Sequence, residues 1–136
     1  MGISIELGLP HSPKVEYYRT QIKNLDVFQQ LFEFIVPMFP IGWLGENEVR
    51  EYVTRISEEL KPTALALSVL DVKQPANWGD KAEVTEHWCL THYLLDGHHK
   101  VYAASNLNQP ITLLSFPAIK QSLATEEQIT MLFDVL

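Results

Sequence analysis

The residues best suited to chemistry gather in one short run, Asp96-Gly97-His98-His99-Lys100. Apolar Tyr93-Leu94-Leu95 precedes it, and small Val101, Ala103 and Ala104 follow. A strand that enters a helix through glycine brings the helix's first free N–H groups to one spot, at the positive end of the helix dipole. Gly97 permits the sharp turn and close approach of a ligand to the backbone. His98, His99 and Lys100 then fall in the first helical turn and add three side chains able to donate to phosphate. A cation there opposes the dipole at a cost of roughly a few tenths of a kcal/mol, so basic side chains at that place fit an expected anion. The expected ligand-binding set is Gly97, His98, His99 and Lys100. The same run also fits a plain surface turn, since Asp-Gly is a common turn pair.

Other reactive groups are less well arranged. His87, His92, His98 and His99 lie close in sequence, but adjacent helical positions point roughly 100° apart and rarely share one ion. With one cysteine and no His-Glu-x-x-His run, no metal site is expected. Cys89 sits between Trp88 and Leu90, where a buried, inert thiol is the usual outcome. His87 would share its strand face, whereas His92 would not.

The elements that must hold the run can be read from periodicity. Ile3, Ile5, Leu7 and Leu9 alternate with small or polar residues, as in a strand. Ser12-Pro13 resembles a helix opening, and Val15, Tyr18, Ile22, Leu25, Phe28, Phe32 and Ile35 follow at helical spacing. Asn24 and Asp26 are the candidate breaks that would divide that helix. Pro37 to Trp43 holds two prolines and a glycine, so it is a connection, either packed over the core or forming a lid or wall of a ligand site. Val49, Tyr52, Val53, Ile56 and Leu60 mark the apolar stripe of a second helix that Pro62 stops. Glu46 and Glu48 lie at its start, where the dipole favours acids. Thr63 to Leu70 reads as a strand buried on both faces, residues 71–86 as a polar connection, and His87 to Leu95 as another strand. His98 to Asn106 reads as a short helix and Ile111 to Phe116 as a strand. Thr125-Glu126-Glu127-Gln128 is a capping box that opens a last helix.

Composition narrows the function classes. A chain of 136 residues, 46% hydrophobic and 20% charged, can bury a core without disulfides. With 10 Lys plus Arg against 17 Asp plus Glu, the formal net charge is −7, so DNA binding through this chain alone is not expected. Its apolar stretches, such as Phe34-Ile35-Val36, are broken by proline well short of the roughly 20 residues a membrane span needs. No leader-like segment opens it. A cytoplasmic location is the expectation.

The segment Tyr93 to Ala104 resembles the phosphate-binding box of the ParB/sulfiredoxin-like superfamily, in which an apolar strand runs into Asp-Gly-His-His-Arg or Gly-Glu-Arg-Arg and then a small-residue helix. Trp43 to Val49, Ile56 to Leu67 and Asn108 to Leu113 are similar in order to that family's other elements. The resemblance implies a mixed α/β domain over 41–117, with a strand and helical extension over 1–40 and a C-terminal helix over 118–136. It also implies nucleotide phosphate held by Gly97, His98, His99 and Lys100. ATP, ADP or CTP with magnesium would be the ligand, and phosphoryl transfer or nucleotide hydrolysis would be the chemistry. His98 stands where sulfiredoxins keep their cysteine, so sulfinic acid reduction is not implied. Only about 20 residues follow Phe116, so the partition proteins' helix-turn-helix domain is missing. Asp-Gly-His-His is nearest to the free-serine-kinase-like members, with Lys100 in place of the usual Arg, a change that keeps charge but loses the bidentate fork. Such kinases need a carboxylate to activate the acceptor, for which Glu46, Glu48 and Asp96 are candidates by position. The alternative is a degenerate member acting as a protein-interaction or regulatory module, with its N-terminal region as a homodimer or partner surface.

Overall fold

The computed structural model describes residues 2–7, 16–73 and 86–136. Its frame is one mixed sheet. Strand β4 (Gln29–Val36) runs parallel to β6 (Glu86–Asp96), which pairs antiparallel with β5 (Thr63–Lys73). Beyond β5 lie β7 (Pro110–Pro117), parallel to it, and β1 (Gly2–Glu6), antiparallel to β7. On the other side of β4, β2 (Tyr18–Arg19) and β3 (Lys23–Asp26) pair antiparallel with successive parts of that strand. The strand order is β1-β7-β5-β6-β4-β2, with β3 beside β4.

One face of this sheet is covered. Leu31 and Ile35 of β4, Ala64, Ala66 and Leu70 of β5, and Trp88, Leu90 and Leu94 of β6 are all buried, as are Ile111 and Leu113 of β7. Their spacing of two residues is the pleat read from the side. The expected strands at β5, β6 and β7 therefore appear, and β5 has one face buried and not the expected two: Leu67 stands exposed on the other face, as do Tyr93, Leu95 and Phe116 of its neighbours.

Helix α2 (His98–Asn106) lays Val101, Ala103 and Ala104 on the covered face, and the small side chains permit close approach. Helix α3 (Glu126–Val135) adds Ile129, Leu132 and Phe133 to the same core. The expected capping box is formed at its start: Thr125 accepts from the Gln128 N–H, and the Gln128 side chain accepts from the Thr125 N–H. Helix α1 (Glu46–Ser57) packs mainly on α2 and buries Ile56. Mixed α/β architecture is the outcome, as expected.

The N-terminal region departs from its expected helix. Within the described residues, 18–36 hold three strands and belong to the sheet, so this part of 1–40 is not a helical extension. The helical stripe required Ile22 and Phe28 to face inward, yet both are more than half exposed, at 56% and 54%. It omitted Leu31, which is fully buried. Alternation wins over the helical period because β4 pairs with β6 along its whole length, from Gln29 opposite Glu86 to Val36 opposite Tyr93. Asp26 closes the hairpin locally, its Oδ1 accepting from the Phe28 N–H at 2.7 Å. The expected helix opening at Ser12-Pro13 lies outside the described residues, as does most of the polar connection 71–86, whose first three residues extend β5.

The junction of β6 with α2 tolerates only glycine. Gly97 has φ +95°, and a Cβ there would stand 2.7 Å from the Cβ of Ala64. Gly97→Ala combines left-handed strain with a clash against a packed strand, and should cost about 2–4 kcal/mol in urea unfolding. Adding Ala64→Gly should recover part of that loss by removing the clash while leaving the strain. A Gly97→Ala protein as stable as the parent would refute this account of the turn.

Candidate functional site

Strand β6 ends at Asp96, Gly97 takes the left-handed conformation as N-cap, and α2 begins at His98. The expected strand–glycine–helix turn is therefore present, and its side chains can be followed individually. Asp96 is exposed and its Oδ1 accepts from the Gly97 N–H at 2.8 Å. His98 is buried, stacks on Phe39 with ring centroids 3.9 Å apart, and its Nε2 accepts from the Met38 N–H at 3.0 Å. The Nε2 of His99 accepts from the Gly45 N–H at 3.3 Å. Lys100 reaches the carbonyl of Thr63 at 3.3 Å.

These bonds fix protonation as well as position. An imidazole nitrogen that accepts an N–H has no proton of its own, so the His98 ring is neutral and carries its proton on Nδ1. Burial pushes the His98 imidazole below its ordinary 6.5, against the pull of the Asp96 carboxylate and with a further push from His99. The Pro37–Trp43 connection is thus fastened to the turn, not free of it. A third bond, from the Ile41 N–H to Glu16 Oε2 at 2.7 Å, holds its middle.

Lys100 also borders a cleft of about 340 Å³ between α1, the turn into β5 and the start of α2, with Tyr52, Arg55, Lys61 and Thr63 on its walls. The Tyr52 ring has two cations near it, 5.7 Å to the Arg55 guanidinium and 5.9 Å to the Lys100 ammonium, within cation–π range. Among the described residues Arg55, Lys61 and Lys100 have no carboxylate partner within ion-pair distance. Three cations with no such partner therefore share one concavity of an acidic protein.

The candidate carboxylates fall elsewhere. Glu46 lines a separate pocket of about 490 Å³ with Arg50 and Tyr102. The Glu48 side chain folds back over Gly45 at the N-terminus of α1, filling the space where a Cβ at Gly45 would stand. The histidines diverge too: His87 packs edge-on against Phe32 on the open face, while His92 is buried on the covered one. Burial pushes the Cys89 thiol up, Asp71 adding to the rise and Lys73 opposing it, which favours the unreactive protonated form.

Sequence reasoning did not anticipate one cluster. Glu33, His92, Ser68 and Ser115 lie on the four adjacent strands β4, β6, β5 and β7, each buried to 2% exposure or less. Ser68 Oγ hydrogen-bonds to His92 Nδ1 and to Ser115 Oγ. Glu33 Oε1 lies 3.5 Å from His92 Nε2, and among the described residues neither Glu33 oxygen has a hydrogen-bond partner. The signal was legible: each strand's inward set, such as Leu31-Glu33-Ile35 or Leu90-His92-Leu94, contains one polar member. An acid–histidine–serine order invites comparison with a hydrolytic triad, but Ser68 is closed to substrate.

Family models, curated proteins and solved structures were compared with this chain, and none matches.

Two expected outcomes follow from this geometry. Because the folded-state pKa of His98 is depressed, its contribution to stability is present above pH 6.5 and is lost as pH falls through that value. His98→Gln keeps an acceptor near the Nε2 position without a titrating ring, so the fall in urea midpoint between pH 7.5 and 5.5 should shrink; an unchanged pH profile would remove His98 as its source. His92→Leu leaves the Glu33 and Ser68 side chains buried without their polar neighbour and should cost about 1–3 kcal/mol. The double variant Glu33→Leu/His92→Leu should be more stable than His92→Leu alone, and the reverse order would show that the pair is not coupled.

Proposed function

We propose that this domain binds a small phosphorylated ligand, a nucleotide or phosphate ester, in the cleft that Arg55, Lys61 and Lys100 border. The observation that carries this reading is the gathering of those three cations, free of carboxylate partners among the described residues, around Tyr52 and beside the first turn of α2. Like charges held together repel, and an anion between them removes that repulsion. Nearby, no hydrogen-bond partner is seen among the described residues for the His98, His99 and Lys100 N–H groups, so the helix end adds donors and a favourable dipole. The Tyr52 ring offers a face on which a base can stack. Within this reading His98 and His99 hold the turn through Nε2, and Lys100 is the residue that meets phosphate. The cleft lining includes no Asp or Glu among the described residues, so binding is better supported than phosphoryl transfer. The resemblance of Asp96-Gly97-His98-His99-Lys100 to the ParB/sulfiredoxin-like box points the same way.

A specific observation favours a second reading, a protein-interaction or regulatory module. Tyr93, Leu67 and Phe116 are register partners on β6, β5 and β7 and form an exposed apolar row across the open face, with Leu95 beside it.

A thermal-shift panel of ATP, ADP, CTP, GTP and inorganic phosphate, each with and without magnesium, separates the two. A ligand present at about 100 times its dissociation constant stabilises by roughly 2.7 kcal/mol, a rise of several degrees. A selective rise that is lost in both Lys100→Ala and Arg55→Ala is expected. No rise with any of the five would overturn the phosphate reading and leave the open face as the better candidate.

A further inference from the structure

The cleft beside Lys100 is rich in hydrogen-bond donors and poor in free acceptors. Arg55, Lys61 and Lys100 bring three positive charges to it, and no Asp or Glu lines it among the described residues. The carboxylates nearest in sequence, Glu51, Glu58, Glu59 and Asp96, lie outside that lining. Backbone oxygens are engaged too. The Arg55 carbonyl accepts from the Glu58 and Leu60 N–H groups at 3.2 and 3.0 Å. The Pro62 carbonyl accepts from the Thr112 N–H at 2.9 Å, and the Thr63 carbonyl from the Lys100 ammonium at 3.3 Å.

Such a wall treats a phosphate chain and its metal differently. Magnesium takes oxygen ligands, and a protein that holds it on a nucleotide usually adds a carboxylate or two of its own. Magnesium on the chain would also occupy oxygens that Arg and Lys donors meet, and cancel part of the charge that draws the chain in. A terminal phosphate has a second pKa of about 6, so near neutrality a monoester carries roughly two negative charges and a diphosphate ester roughly three. The three cations match the diphosphate. A volume of about 340 Å³, near the lower end of the usual range for ligand sites, suits a short chain.

Within the phosphate reading, on which this rests, we infer that the cleft selects a metal-free diphosphate ester and that magnesium competes with Arg55, Lys61 and Lys100 for its oxygens. Magnesium is then a competitor at this site, not the companion ion that the resemblance implied.

The test is titration calorimetry of the full chain with ADP and with AMP. Each is measured in EDTA and in excess magnesium, with sodium chloride adjusted to equal ionic strength. In EDTA, ADP should bind more tightly than AMP, and magnesium should weaken ADP roughly three- to tenfold. Lys61 is exposed, so its variants should fold, which their thermal transitions check. Lys61→Ala should bring ADP closer to AMP, because one of the three cations is gone. Lys61→Asp supplies a carboxylate for the metal and should remove or reverse the magnesium effect. Lys120→Ala, outside the cleft, should change nothing; a loss there equal to that in Lys61→Ala would reduce the effect to overall charge and overturn the inference. Binding of ADP that magnesium strengthens or leaves unchanged would overturn it too, while leaving the phosphate reading in place. No binding of either nucleotide, with or without magnesium, would overturn both.

Discussion

Four adjacent strands each bury one polar side chain, and those four side chains meet only in a single register. Ser68 lies directly opposite His92 across β5 and β6, Ser115 reaches Ser68 from β7, and Glu33 approaches the far side of the same imidazole from β4. A slip of one residue in any strand turns its polar member to the other face and leaves the remaining partners buried alone. Apolar packing would tolerate several alignments of these strands, since Leu, Ile and Ala occupy most inward positions. The polar row does not, because an unpaired buried histidine or carboxylate is far more costly than a misplaced methyl group.

The cleft beside Lys100 depends on that register. β6 carries both His92 and, four residues later, Asp96, so fixing His92 against Ser68 also fixes where the strand ends. The ladder between β5 and β6 shifts between Leu65 and Ala66, and past that irregularity Gly97 lies over Ala64 with no room for a Cβ. From there α2 departs with His98, His99 and Lys100 facing three different segments. Each side chain holds something down: the connection after β4, the N-cap of α1 and the first carbonyl of β5. The Asp-Gly-His-His-Lys run is therefore a clasp joining the helices to the sheet. One hydrogen bond to a carbonyl leaves the Lys100 ammonium two donors and its full charge.

Much of this was legible in the chain. α2 spans the expected residues, β6 and β7 differ by a residue or so at their ends, and the capping box of α3 forms as its four residues imply. These elements have strong local signals: a glycine turn, a proline, a side-chain cap. Residues 18–36 lacked such signals, and Tyr18, Leu25 and Ile35 happen to fit both a helical stripe and strand positions. The pairing of β4 with β6, whose partners are 57 residues apart, decided between them, and no local window contains that information. The cleft was hidden for a related reason. Lys100 was singled out at once, but Arg55 on α1 and Lys61 in the following turn reach it only after α1 has packed on α2. Among Glu51, Glu58 and Glu59 they look like ordinary members of a solvated face.

The protonation state of the clasp sharpens the electrostatic argument for the cleft. Charged imidazoles at His98 and His99 would make the start of α2 attractive to almost any anion, whatever Arg55 and Lys61 did. A neutral His98 ring removes its share of that attraction and leaves Arg55, Lys61 and Lys100 as the point charges of the cleft, beside the Tyr52 ring. The protein's formal charge of −7 works in the same direction. Its diffuse repulsion disfavours large polyanions at long range, whereas a small ligand seated among three cations feels mainly what is within a Debye length. A chain that is acidic overall and basic in one cleft thus sets a local field in that cleft against the diffuse field of its surface.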